Sequence, residues 1–436
     1  MQQSMASVRI RLSSRKEIDL DNLMPLLCVL ITFKSLLSYY KYITGALSVI
    51  VEYLYTGITL LLFVLYIPLS LYVCFSTFRF RRLWPTIIIP LCVIVNILFA
   101  ASQGGLGILS RSFRLELAIG TNDEYGYYFA QINTWFCNMS SVILLASFIR
   151  RKETIIKCVY SSLIVLAIPI IVIIIMHPSY LGLRQSSFED TSITFGGGLW
   201  NIGVVGFGSL GWLTLTLQDS MPKRKRIVSL FVVALLVFVG VAGISRTLIL
   251  MVAFSTAYYF VFSRKDTSWL RKLVIIILLL FIFCLVEYEL IISIIARFSS
   301  GDAGVGNVRF ILWSKYLSHF GECWLIGAPY GNIYNYYRDY NFIGHYYLPH
   351  SAIINFTIRF GLLSCVSYLG LIKKSFLPSL NALEERKKYC FRAGMIAYIT
   401  LAFINQTGYA EPTFYMMFGL WMALSRVYDF EEAGKN

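Results

Sequence analysis

Ile155-Ile-Lys-Cys-Val-Tyr-Ser-Ser-Leu-Ile-Val-Leu-Ala-Ile-Pro-Ile-Ile-Val-Ile-Ile-Ile-Met176 runs for 22 residues with Lys157 as its single charge. A helix of about 20 residues, rising about 1.5 Å per residue, crosses about 30 Å of hydrocarbon. In that medium each backbone N–H and C=O must find a partner within the protein, and a helix provides one for nearly all of them. Runs of the same kind recur at 23–40, 54–76, 84–101, 126–148, 197–217, 227–243, 246–262, 272–295, 350–371, 391–408 and 411–427. Together they predict an all-α polytopic membrane protein of about 12 transmembrane helices.

Composition agrees. The chain has 436 residues, 57% of them hydrophobic and 14% charged, with a mean hydropathy of +0.68. Soluble domains carry about 25% charged residues. The deficit is spread along the whole chain, so one membrane domain is expected and no separate soluble one. Residues 1–22 are polar and carry Arg9, Arg11, Arg15 and Lys16 ahead of any apolar run, which predicts a cytoplasmic segment and no cleavable signal peptide. The expected organisation continues with nine helices over 23–295, a large extracytoplasmic loop over 296–349, three helices over 350–428 and a cytoplasmic tail over 429–436.

The formal charge of +15 invites a nucleic-acid reading, and its placement removes that reading. Basic clusters stand at Arg79/Arg81/Arg82, Arg150/Arg151/Lys152, Lys223/Arg224/Lys225/Arg226, Arg264/Lys265, Arg271/Lys272, Lys373/Lys374 and Arg386/Lys387/Lys388. With twelve spans and the N-terminus inside, all of these fall on the cytoplasmic side. About 27 Lys and Arg are then inside, about 9 outside and about 2 within spans, the bias of the positive-inside rule. The charge is topology, and no nucleic-acid partner is expected.

Seven of the nine cysteines lie in apolar runs, and no CxxC pair or metal-ligand spacing appears, so no metal site is expected. Gly206-Phe-Gly-Ser-Leu-Gly211 matches a dinucleotide fingerprint but lies in an apolar span with no strand before it. Glycines 196, 197, 198, 203, 206, 208 and 211 are instead expected to let helices approach closely. Asn138-Met-Ser140 and Asn355-Phe-Thr357 fit the glycosylation sequon but fall in or at spans. The absence of P-loop, HExxH and DxD motifs argues against an ATP-driven pump, a zinc protease and a nucleotide-sugar transferase.

The chemistry concentrates outside. Three outer loops are long, at about 102–125, 177–196 and 296–349, and His177, His319, His345 and His350 all fall on that side. Residues 308–320 read as a surface helix. At about 100° per residue Arg309, Trp313, Tyr316 and Phe320 share one face, opposite Ser314, Lys315 and Ser318. An arginine on an aromatic face is either a snorkelling or ion-paired structural residue, or an anion ligand facing a cavity. Seven tyrosines follow (Tyr330, Tyr334, Tyr336, Tyr337, Tyr340, Tyr346 and Tyr347), mixed with Asn, Asp and Gly. Their faces suit sugar C–H groups and their hydroxyls suit sugar hydroxyls, although interfacial aromatic belts have a similar composition.

His350 stands at the entry of a span, where an imidazole can serve as a general base or as a hydrogen-bonded structural group. Arg359, inside that span, is expected to pair with Glu287 or Glu289. Arg246, Arg297, Arg338, Arg184, Arg111 and Arg114, with Glu411, also stand near the outer surface. Arginines placed there against the topological bias suit the oxygens of a diphosphate.

Over residues 243–370 the chain resembles the bacterial O-antigen polymerase and O-antigen ligase family. The resemblance rests on Ser245-Arg246-Thr247 at the outer start of a span and on Arg309-x-x-x-Trp313 in the large loop. Gly327, Pro329 and Gly331 follow. His350 then opens a span that continues to an Arg359-x-Gly361 turn. The family usually carries His-Asn where this chain has His350-Ser351; the first 240 residues match only in being hydrophobic.

The resemblance implies a GT-C-like fold and a glycan donor on polyprenyl diphosphate. It assigns diphosphate binding to Arg246 and Arg309, with Arg297 or Arg338 joining them, and the acceptor's proton to His350. It gives the sugars to Tyr330, Tyr334, Tyr336, Tyr337, Tyr340 and Trp313. It implies no cofactor and no metal, with membrane lipid and a chain-length regulator as candidate partners. Polymerisation is favoured; the alternatives are ligation of the finished glycan to lipid A–core and transport of lipid-linked sugars.

Overall fold

Apolar runs become helices whose ends are set by local chemistry. The computed structural model describes residues 9–13, 16–39, 42–43, 46–104, 124–176, 193–194, 198–243, 245–263, 313, 317–318, 320–327, 351–377, 384–405 and 407–433. Helix α1 covers Met24–Tyr39, α2 Ala46–Cys74, α3 Thr77–Leu83 and α4 Pro85–Gly104. Next come α5 (Glu124–Phe148), α6 (Lys152–Met176), α7 (Gly198–Gly206), α8 (Trp212–Leu217), α9 (Lys223–Ala242) and α10 (Arg246–Phe262). The last are α11 (Phe320–Cys323), α12 (Ala352–Phe376), α13 (Glu385–Ile404), α14 (Thr407–Ala410) and α15 (Pro412–Ala433). Two small antiparallel pairings accompany them, Arg9–Ser13 with Lys16–Asp19 and Tyr42–Ile43 with Ile193–Thr194.

Large apolar side chains face outward as well as inward. Val64 (58% exposed), Ile67 (60%) and Ile175 (74%) point outward, as do Leu91 on α4 and Leu363 on α12. Inside lie Thr32, Ser35, Asn138, Ser140, Ser162, Thr214, Ser364 and Ser367. An apolar skin around a polar-studded interior is what a hydrocarbon solvent selects. The chain is a multi-pass membrane protein.

Among the described residues five helical segments are long and apolar enough to cross a bilayer: Tyr53–Cys74, Lys152–Val172, Trp200–Ser220, Lys223–Ala242 and Ala352–Phe376. A sixth joins if α3 and α4, bent by 65° at their junction, act as one span. The apolar parts of α5 (Thr134–Phe148) and α10 (Arg246–Phe260) are shorter. The run at 272–295 lies outside the described residues.

Gly203 stands at a close approach of two helices, whereas Gly196 and Gly197, expected to act alike, lie outside the described residues. A Cβ on Gly203 would stand 2.5 Å from the Leu236 carbonyl oxygen and 3.0 Å from the Gly240 nitrogen, so α7 and α9 touch backbone to backbone. Between α7 and α8 the residues Phe207–Gly211 form a π-helical turn. There Ser209 returns its hydroxyl to the Val205 carbonyl (2.6 Å).

One end of the bundle gathers basic loops. The buried Asp21 carboxylate accepts from the Thr154 hydroxyl (2.9 Å) and the Arg150 amide (3.2 Å), with Arg151 Nε at 3.6 Å. Arg82 donates to Ser425 Oγ (2.8 Å) and to the Met422 carbonyl; Arg426 donates to the carbonyls of Ser147 (3.0 Å) and Ile149. Lys152 and Lys387 both lie over the Tyr428 ring, each 5.0 Å from its centroid. Arg386 bridges to Asp219 (3.2 Å) and to the Tyr259 hydroxyl (3.3 Å). Three separate basic clusters of the sequence, around Arg82, Arg150–Lys152 and Arg386–Lys388, thus meet at the same end.

Candidate functional site

The opposite ends of these helices build a second polar layer around the turn that joins α13 to α15. Asn405, at the end of α13, donates from Nδ2 to Thr247 Oγ1 (3.5 Å) near the start of α10. Ser351, just before α12, donates to the Ala402 carbonyl on α13 (3.4 Å). The starts of α10 and α12 therefore lie against one end of α13.

Both starts are built alike. Ser245 accepts from the Leu248 amide (3.3 Å) and caps α10; Ser351 accepts from the Ile354 amide (3.4 Å) and caps α12. An N-cap oxygen satisfies one of the donors that a helix leaves open, and Ser and Asn do this about equally well. Ser351 is thus a capping residue, a role that an asparagine would fill about as well. Arg246 is the first residue of α10 and is partly buried. Gly243, just before it, lies against Trp200, where a Cβ would stand 2.6 Å from the tryptophan Cβ.

The turn itself is held through successive carbonyls. Tyr398 donates to the Gly408 carbonyl (2.9 Å) and lies 2.6 Å from the Tyr368 hydroxyl, itself 3.2 Å from that carbonyl. Tyr415 donates to the Tyr409 carbonyl (2.7 Å) and Asn138 to the Ala410 carbonyl (3.1 Å). Glu411 accepts from Ser35 on α1 and from Thr413 (3.5 Å). Lys34 is buried and lies over the Tyr55 ring, 5.2 Å from its centroid. Asn138 is 2% exposed and Asn355 2%, so neither sequon is open to a glycosylating enzyme.

Arg359 enters this layer from α12. Its guanidinium lies over the Tyr409 ring at 5.2 Å, and the side chain is 7% exposed. Trp135, Phe356 and Phe360 also lie around Tyr409, with centroids 5.1, 5.1 and 6.3 Å from its ring. Glu287 and Glu289, the partners expected from the sequence, lie outside the described residues.

Two residues beyond Arg359 the helix breaks. Gly361 has φ +81° and ψ 174°, and Ser364 donates to the carbonyls of Phe356 (3.0 Å) and Gly361 (2.8 Å) across the break. The segment 324–327 docks into the gap. Leu362 donates its amide to the Trp324 carbonyl (2.6 Å), and Asn96 on α4 donates to the Ile326 carbonyl (3.1 Å). Gly327 (φ +90°) sits against the Arg359 carbonyl, and Gly361 against the Leu325 carbonyl. The Arg359-x-Gly361 turn and Gly327, read separately in the sequence, are thus two halves of one backbone contact. The span expected over 350–371 is interrupted at its Arg359-x-Gly361 turn, where that contact forms.

Of the residues expected from sequence, Arg246 stands in this layer, and Trp313 is described and partly buried. Arg309, Arg297, Arg338, His350, Tyr330, Tyr334, Tyr336, Tyr337 and Tyr340 lie outside the described residues. Gly327 and Ser351, which flank the tyrosine-rich stretch, are both anchored on the α12 side of the layer. The sequence assigns no role to Lys34 or Glu411. Their signal is a lone lysine in an apolar run and a Glu-Pro step between two spans.

Comparison with known proteins finds no family model that matches the chain and no curated protein that matches it.

Proposed function

We propose that the chain is a membrane glycosyltransferase of the O-antigen polymerase and ligase type, joining polyprenyl-diphosphate-linked oligosaccharide repeat units into a surface polysaccharide. The observation that carries this reading is the convergence of Ser245-Arg246-Thr247 and Ser351 on one end of α13, with Arg359 in the same polar layer and the basic loops at the other end. Two helix N-termini, Arg246 and Arg359 stand at that end beside the Glu411 carboxylate, and helix N-termini and guanidinium groups suit a leaving diphosphate.

In this reading the basic end and both termini face the cytoplasm by the positive-inside rule. The chain crosses the bacterial inner membrane twelve times, and the polar layer faces the periplasm beneath the loop 296–349. An acceptor-sugar hydroxyl attacks the anomeric carbon of the donor, and the bond from that carbon to the diphosphate oxygen breaks. Polyprenyl diphosphate leaves with the bonding electrons, and His350 takes the hydroxyl proton. Arg246 and Arg309, with Arg297 or Arg338, meet the charge that develops on the leaving group. Trp313 and the tyrosines from Tyr330 to Tyr340 hold the sugars. The leaving group carries its own activation energy, so the step needs no ATP.

Purified protein in nanodiscs, given its polyprenyl-diphosphate-linked repeat unit without ATP, should yield a ladder of lengthened glycan and free polyprenyl diphosphate. Arg246→Ala and Arg309→Ala should each abolish the ladder. Transfer that appears only when lipid A–core is added would identify a ligase instead, and no transfer to either acceptor would overturn the enzymatic reading.

A further inference from the structure

We propose that α3 and the C-terminal end of α12 form a seat for the headgroup of an anionic phospholipid at the basic end of the bundle. The inference is independent of the catalytic reading above, because it uses residues at the other ends of the helices.

Helix α3 is Thr77-Phe-Arg-Phe-Arg-Arg-Leu83, set at 65° to α4. Such a bend turns a short helix away from the direction of the span and toward the plane of the interface. Its inner side is committed: Leu83 is 2% exposed, and Arg82 reaches inward to Ser425 and Met422 on α15. Its outer side is not. Phe75 is 86% exposed, Phe78 73% and Phe80 40%, and Arg81 is exposed beside them. Aromatic rings interleaved with arginine on one short helix suit the boundary between acyl chains and headgroups.

The second half of the seat comes from α12. Trp84, at the α3–α4 corner, is pressed against Gly370, where a Cβ would stand 2.8 Å from the indole. Lys373 and Lys374 follow within one helical turn, in the last turn of α12. Lys373 is exposed and Lys374 partly so. Arg79 is held on the Tyr72 ring, 3.8 Å from its centroid, which fixes a further positive charge beside the corner. Neither α3 nor α12 contains an acidic residue. Asp429 of α15 faces the inward-turned Arg82, whereas in the neighbouring basic clusters Asp21, Asp219, Glu384 and Glu385 pair with Arg151, Arg386, Lys387 and Lys388. Charge complementarity and the exposed phenylalanines together favour a lipid phosphate whose acyl chains run along the apolar faces of α4 and α12.

The test is native mass spectrometry of the protein extracted from nanodiscs holding equal amounts of phosphatidylglycerol and phosphatidylcholine. Wild type should retain phosphatidylglycerol preferentially. The triple variant Arg81→Gln, Lys373→Gln, Lys374→Gln should lose that preference, by about five-fold for each charge removed. Arg81→Lys should keep it. Lys223→Gln with Arg224→Gln and Arg226→Gln removes equal charge elsewhere on the same end and should cost clearly less of the preference than the first triple variant. An equal loss in both triple variants would overturn the seat in favour of diffuse attraction, as would the absence of any preference in wild type.

Discussion

Replacing Gly361 by alanine should undock residues 324–327 from α12. At φ +81° and ψ 174° the glycine occupies a region nearly closed to other residues, at a cost of about 1–3 kcal/mol for a Cβ-bearing one. The new Cβ would also stand 2.5 Å from the Leu325 carbonyl carbon and 2.9 Å from the Ile326 nitrogen. These are backbone atoms and cannot rotate aside. Either α12 straightens, which breaks the Ser364 bonds across the gap, or the docked segment leaves. Leaving gives up the Leu362–Trp324 and Asn96–Ile326 hydrogen bonds, a net loss of about 1 kcal/mol each. Departure is the cheaper route, and the combined loss is about 3–5 kcal/mol. Hydrogen–deuterium exchange in detergent should show strongly faster exchange in peptides covering residues 320–330 and at the Leu362 amide, with a lowered thermal midpoint. Gly57→Ala is the control: nothing lies within 4 Å of its Cβ, and inside α2 it should gain about 0.5–1 kcal/mol. Wild-type exchange and midpoint in Gly361→Ala would refute the backbone docking and the steric reasoning with it.

Two further outcomes follow from the polar layer. Ser351→Ala should lower stability by about 1 kcal/mol through loss of the α12 cap, whereas Ser351→Asn should be close to neutral, both read from thermal unfolding in detergent. Tyr398→Phe and Tyr368→Phe should each cost about 1 kcal/mol or less, because the remaining hydroxyl can still serve the Gly408 carbonyl. The double variant leaves that carbonyl dry, and its loss should exceed the sum of the singles by about 1–2 kcal/mol in a double-mutant cycle.

The starts of α10 and α12 are legible in the amino-acid sequence. Ser245 and Ser351 precede apolar runs, and capping is a matter of three or four neighbouring residues. The π-turn glycines are legible as packing glycines because their crowding in an apolar run has few other uses. Arg359 is legible as an intramembrane charge but not by its surroundings, since Tyr409 comes from a different helix. Gly327 and Gly361 read as separate marks, and nothing local in either requires that one oppose the other.

The sequence by itself determined that this chain is a bundle of membrane helices with its positive charge in particular loops. Burying apolar surface in hydrocarbon and keeping lysine and arginine out of it are costs assessed residue by residue along the chain. Tertiary structure alone decided which helix ends meet, that α12 breaks where 324–327 docks, and that Asn138, Tyr368, Tyr398 and Tyr415 converge on the turn before α15. Those contacts satisfy backbone groups which only become unpaired once the helices are packed, so no single stretch of sequence carries their signal.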